Sequence, residues 1–167
     1  SKRTLVRIFS NGSFKQGGRF YGGWWQRLNG DLREDILIDG TRTVEIDFSG
    51  LHPNLAYTRQ GLDYSGTDPY DIQLSRILKS IKDEHHLIAD QFASNAGIDL
   101  MYLDSQIVED IVKIFIAEGE PILQVFDSFI VKFWQEDLLR ACMHEAFQAI
   151  TVRKAIKMKQ NDNLTLG

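Results

Sequence analysis

The chain has 167 residues, 43% hydrophobic and 25% charged, with three Trp, five Tyr, ten Phe and three Pro. A chain of this length holds about one hydrophobic core, and the composition excludes collagen-like, low-complexity and disordered classes. Its one cysteine, Cys142, excludes an internal disulfide framework and a multi-cysteine zinc cage. No apolar run reaches the roughly 18 residues of a membrane helix, and Ser-Lys-Arg-Thr at the start leads into no signal-peptide apolar segment, so a cytoplasmic chain with no membrane partner is expected. A chain opening on Ser1 rather than Met is also expected to be a processed or excised segment.

The net charge of −4 is unevenly laid out. Residues 1–33 carry +6, residues 34–150 carry −13 and residues 151–167 carry +3. Basic ends can grip a polyanion, whereas an acidic middle holds cations or is a solvated surface. Nothing resembling a linker or repeat divides the chain, so residues 1–167 are expected to form a single domain. Within it lie a basic, aromatic N-terminal segment (1–33), a core (34–150) and a basic tail (151–167).

In chain order, residues 5–9 read as a short strand, Asn11-Gly12-Ser13 as a turn, and residues 17–26 as a patch rich in aromatics and glycine. Residues 36–38 and 44–48 alternate apolar and polar side chains around Asp39-Gly40, the signal for a tight hairpin. Pro53 can open a helix over 52–60, with Gly61 beyond its end. Apolar residues at helical spacing predict helices over 70–92 and 98–118, stopped at Asn95-Ala96-Gly97 and at Gly119. Residues 122–126 and 129–133 are apolar runs around Asp127-Ser128, a second hairpin with an aspartate at its tip. A last amphipathic helix carries Leu138, Leu139, Cys142, Met143, Ala146, Phe147 and Ile150 and fades into the basic tail. The order predicts an α+β class: a small antiparallel sheet of β-hairpins backed by helices.

Two acids sit at the ends of apolar strands, Asp47 and Asp127. A charge beside Val, Ile and Phe carries a desolvation cost unless it caps a backbone, pairs with a base or holds a metal. Local sequence alone offers a helix cap for Asp47 and a turn role for Asp127. If the two strands are neighbours, two hard oxygen donors meet at one sheet edge, the arrangement used in two-metal phosphoryl transfer. Other features have blander readings. Gly12 to Arg19 lacks the Lys-Ser/Thr ending of a phosphate loop and reads as a turn. His85, His86, Cys142 and His144 lack zinc spacing and read as surface histidines and a core thiol. Asp104 and Ser105 are expected by default on a solvated helix face, or near the two aspartates if these form a shared site. Arg19 and Gln26, among Phe20, Tyr21, Trp24 and Trp25, either contact phosphate and stacked bases or belong to an aromatic core cluster.

Asp47-Phe48-Ser49 followed by Leu51 resembles the first catalytic motif of family A DNA polymerases, and Phe126-Asp127-Ser128-Phe129 resembles their third motif, close to the form found in single-subunit RNA polymerases. Residues 100–115 look like the palm helix, residues 135–147 like the helix after the motif hairpin, and Asp68-Pro69-Tyr70 like the lead into the fingers. The similarity spans residues 43–147. The interval between the motifs is far shorter than in the family, His52 stands where DNA polymerases carry a Glu, and Phe126 replaces the usual His.

The resemblance implies a metal-dependent nucleotidyltransferase with a polymerase palm. Asp47, Asp127 and the Phe48 carbonyl would hold two Mg²⁺ (or Mn²⁺) ions. Arg19, Arg76, Lys79 and His52 would meet the nucleoside triphosphate, and Lys15, Gln26, Lys154 and Lys157 the nucleic acid. Further polymerase domains or protein partners are expected where the fingers are reduced. The alternatives are a non-catalytic nucleic-acid- or protein-binding module built on a degenerate palm, and a two-metal nuclease.

Overall fold

The computed structural model describes residues 3–59, 79, 81–92, 94, 96–151 and 158–160. Strand β1 (Val6–Phe9) pairs antiparallel with β2 (Gly17–Tyr21), with a register shift after Ile8. The turn between them needs Asn11 and Gly12 at positive φ, 53° and 64°, which Asn and Gly tolerate best. A 3₁₀ turn (Trp24–Arg27) and a short helix α1 (Gly30–Arg33), N-capped by Asn29, lead to the main sheet.

That sheet holds β3 (Leu37–Ile38), β4 (Thr41–Phe48), β5 (Leu123–Val125) and β6 (Ser128–Lys132) in the order β3-β4-β6-β5. The strand pairings described in it are all antiparallel. The Asp39-Gly40 turn closes the first hairpin with both residues at positive φ, 51° and 75°, as its sequence predicts. The second hairpin turns on Phe126-Asp127, one residue earlier than the sequence pattern suggests, because Ser128 already pairs as a strand residue with Asp47. Phe126 takes φ 57°, an uncommon conformation for a bulky residue. A further strand, β7 (Met158–Gln160), pairs with β4 opposite Ile46, Asp47 and Phe48. Part of the basic tail is therefore an added strand of the sheet, paired with β4.

Helix α2 (Leu51–Arg59) follows β4 directly, with Pro53 in its first turn, where the missing N–H costs nothing. Helix α3 (Ala96–Ala117) ends at Gly119, whose φ of 72° suits a left-handed stop. Helix α4 (Glu136–Thr151) buries Leu139, Cys142, Met143, Ala146 and Phe147, a stripe at spacings of three and four. The sheet face formed by Val44, Ile46, Phe48, Phe129 and Val131 packs on Leu51, Leu55, Ile107, Ile111, Phe115, Met143 and Phe147 from the three helices. The opposite face packs Ile130 and Val125 against Trp25 and Ile36 of the N-terminal segment. Covering both faces explains why β6 is buried along nearly its whole length.

The helix expected over 70–92 falls partly outside the described residues. Its described C-terminal part is helical over 81–84 and then breaks at His85 into a 3₁₀ stretch (His86–Gln91) kinked at Ile88, which swings Ile88 into the core. Among the described residues no helix is long and apolar enough to cross a membrane. The architecture is α+β, with a small antiparallel sheet and helices against one face.

Candidate functional site

Strands β4 and β6 are neighbours, so the two aspartates that end them are brought to the same end of the sheet. Asp47 lies opposite Ser128 in the ladder, and the Phe48 N–H donates to the Asp127 carbonyl at 3.4 Å. Both acids are half-buried. Phe48 directs its ring into the core, 6.3 Å from that of Phe147.

Asp127 sits in a negative and poorly solvated setting. Burial, and then the Asp104 carboxylate, push its pKa above the ordinary carboxylate value, with its own backbone N–H, Arg19 and His52 pulling the other way. Asp104 is the residue that sequence reasoning placed on a solvated face, and the structure corrects this: it is fully buried, as is Ser105. The reason lies in helical phase. Asp104 falls four residues after Leu100 and three before Ile107, on the stripe that α3 turns inward.

Arg19 makes that burial tolerable. From β2 it donates Nε to Asp104 Oδ2 at 2.8 Å and brings Nη2 to 2.7 Å from the same oxygen. Arg19 Nη2 also lies 3.0 Å from His52 Nε2, and that nitrogen is 3.4 Å from Asp104 Oδ2. The guanidinium rests over the Phe126 ring, 5.8 Å from its centroid, and Tyr21 meets Phe126 edge-on. Four elements thus converge on one cluster: β2 through Arg19, α2 through His52, α3 through Asp104 and the β5–β6 turn through Phe126 and Asp127. Asp104 Oδ1 is buried with no hydrogen-bond partner.

Two further networks hold the cluster in place. Arg7 donates Nε to the Gly18 carbonyl and Nη2 to Ser105 Oγ, both at 2.8 Å, and pairs through Nη1 with Glu109. Gly18 permits the approach, since a Cβ there would stand 2.8 Å from Ser105 Oγ. On the other sheet face Arg33 binds Glu45 in bidentate fashion at 2.9 and 3.0 Å, and Ser128 Oγ donates to Glu45 at 2.6 Å. That network ties β4 to β6 through Glu45, two residues before Asp47.

Of the remaining sequence-predicted residues, Gln26 is turned inward. Its carboxamide accepts from the Gly22 N–H and donates to the carbonyls of Phe20 and Gln124, so it holds the N-terminal segment against β5 instead of presenting itself to a ligand. Trp25 is likewise buried and donates Nε1–H to the Gln124 carbonyl at 2.8 Å. Lys15 and Lys79 are exposed. Arg76, Lys154 and Lys157 lie outside the described residues.

The chain matches no family model, no curated protein and no solved structure. Among the described residues no group of three or more His, Cys, Asp or Glu side chains is gathered as a metal cage. The chemistry of the donor set nevertheless suits a hard divalent cation, which Mg²⁺ sites satisfy with one or two carboxylates, water and substrate phosphate. Asp47 on β4 and Asp127 in the β5–β6 turn are the carboxylates at this end of the sheet, and burial is the chief cause of the raised Asp127 pKa.

Proposed function

We propose that this domain is a palm-type, metal-dependent nucleotidyltransferase, extending a nucleic-acid primer from a nucleoside triphosphate. The observation that supports the reading is the β4–β6 pairing, which sets Asp47 opposite Ser128, the residue after Asp127, at one end of the sheet. The resemblance of the two motifs to polymerase motifs, in the same order along the chain, supports it as well.

Asp47 and Asp127 would hold Mg²⁺ or Mn²⁺, which supplies charge neutralisation for the triphosphate and makes a primer hydroxyl a better nucleophile. The chain's own residues position the reactants. Arg19 commits Nε and Nη2 to Asp104 and His52, leaving Nη1 for a phosphate oxygen. Asp104 fixes that guanidinium from inside the fold, so its orientation is set before a nucleotide arrives. The basic N-terminal segment supplies phosphate-backbone attraction that weakens with salt.

Primer extension with Mg²⁺ or Mn²⁺ on the intact chain tests the reading. Slow extension is expected, because the short interval between the motifs leaves little room for fingers. Asp47→Asn and Asp127→Asn should each abolish extension while leaving salt-sensitive nucleic-acid binding in place. Extension undiminished in Asp127→Asn would overturn the assignment. Nucleic-acid binding with no extension under any metal would favour the non-catalytic module.

A further inference from the structure

Strand β7 is the described part of the basic tail, and it meets β4 where the candidate site lies. It runs antiparallel to β4 with Met158 opposite Phe48, Lys159 opposite Asp47 and Gln160 opposite Ile46. Directly opposed residues in such a ladder share a face of the sheet, with Cβ atoms about 4.5–5.5 Å apart. The register therefore sets a lysine alongside one of the two proposed cation ligands, with Ser128 opposite the same aspartate on the β6 side.

The core holds this register. Met158 is partly buried and packs against the core cluster that contains Phe48. A slip of β7 by one residue would exchange the faces of Met158 and Lys159 and place a lysine where the methionine packs. Two cations described along the same strand pair are engaged elsewhere: Arg33 with Glu45, and Lys132 with Asp39 and Glu120. A divalent cation arriving at Asp47 therefore meets the positive charge of the residue opposite, about 6 Å away on ladder spacing. A strand of three residues is held by few ladder hydrogen bonds, which puts it at the low end of local stability.

We propose that β7 is an autoinhibitory strap, in which Lys159 stands in for the divalent cation at Asp47 and opposes its binding. The inference rests on the reading of Asp47 and Asp127 as cation ligands. It adds to that reading a regulation built into the fold: the affinity of the site for metal depends on whether the tail is docked on β4. The docked tail lowers the negative charge that attracts the metal, and the core contact of Met158 keeps it in place.

Mn²⁺ titration of the intact chain at low ionic strength, followed by electron paramagnetic resonance of the free ion, tests the proposal. Lys159→Met should bind Mn²⁺ about tenfold more tightly than the wild type, the effect of removing a unit charge about 6 Å from a divalent one in water. Lys159→Arg keeps the charge and should bind as the wild type does. The advantage of Lys159→Met should shrink as salt is added, because the repulsion is screened. Equal affinity in wild type and Lys159→Met, with binding still weakened in Asp47→Asn, would overturn this inference alone. Tightening shared by Lys159→Arg would also overturn it, since a loosened strand and not a lost charge would then be the cause. Absence of Mn²⁺ binding from wild type and Lys159→Met alike would overturn it together with the reading on which it rests.

Discussion

Asp104→Asn is the substitution that most sharply probes the cluster beside the candidate site. The Asp104 side chain is 1% exposed and its main partner Arg19 is 21% exposed. Removing one partner of a buried pair costs about 3–5 kcal/mol, because the other charge is left uncompensated. Here the stranded charge is Arg19, which water can partly reach, and the asparagine oxygen can still accept one N–H. The expected loss is therefore about 2–3 kcal/mol, or about 4–12 °C in Tm for a domain of this size. Arg19→Met should cost more than Asp104→Asn, since it strands the carboxylate, the more deeply buried member. The two losses should also be less than additive in the double variant, because the partners share one interaction. Urea and thermal melts followed by circular dichroism measure all three variants. A loss in Asp104→Asn below about 0.5 kcal/mol, the level of an ordinary surface change, or strict additivity, would refute the argument that this pair is a buried hub.

Asp127→Asn should stabilise the metal-free fold at neutral pH, even as it removes the proposed activity. Its folded-state pKa is raised, chiefly by burial, so the folded protein holds the proton more tightly than the unfolded chain. Wild-type stability should fall as pH rises from about 3.8, the ordinary value, through the raised pKa, and the variant's advantage should vanish at lower pH. Melting curves from pH 3 upward check this, and an unchanged or less stable variant at pH 7 would contradict it. Gly18→Ala should destabilise by about 1–3 kcal/mol, because Gly18 has φ +89° and a Cβ would stand 2.8 Å from Ser105 Oγ and 3.0 Å from the Phe9 ring. An unchanged urea midpoint would show that the β1–β2 hairpin is not held against α3 as described.

Much of the fold is legible in the sequence where local pattern and tertiary role agree. Alternation in Thr41–Phe48 and the Asp39-Gly40 turn predict the first hairpin, and the spacing of Leu139, Cys142, Met143 and Phe147 predicts the burial of α4. The pairing of the strands that carry Asp47 and Asp127 is only a condition at the level of sequence, because apolar alternation shows that each strand needs neighbours but not which ones. Asp104 was harder to place because its type argues for solvent while its phase argues for the core; only Arg19, distant in sequence, resolves that conflict. A charged residue at an apolar-stripe position is the signal that could have found it. Strand β7, Met-Lys-Gln, has no alternation to reveal it, and its pairing depends wholly on the open edge of β4. For Gln26 the sequence leaves ligand contact and a packed cluster both open, and only Gln124, distant in sequence, distinguishes them.

The central claim, that Asp47 and Asp127 act together as divalent-cation ligands, is tested most directly by Mn²⁺ titration followed by electron paramagnetic resonance, in which the signal of the free ion disappears on binding. Wild-type protein should bind Mn²⁺ at millimolar or lower concentration. Asp47→Asn and Asp127→Asn should each weaken binding at least about tenfold, the loss expected when one of two charged ligands is removed. Mn²⁺ bound equally well by Asp127→Asn, or not bound by the wild type, would contradict the account.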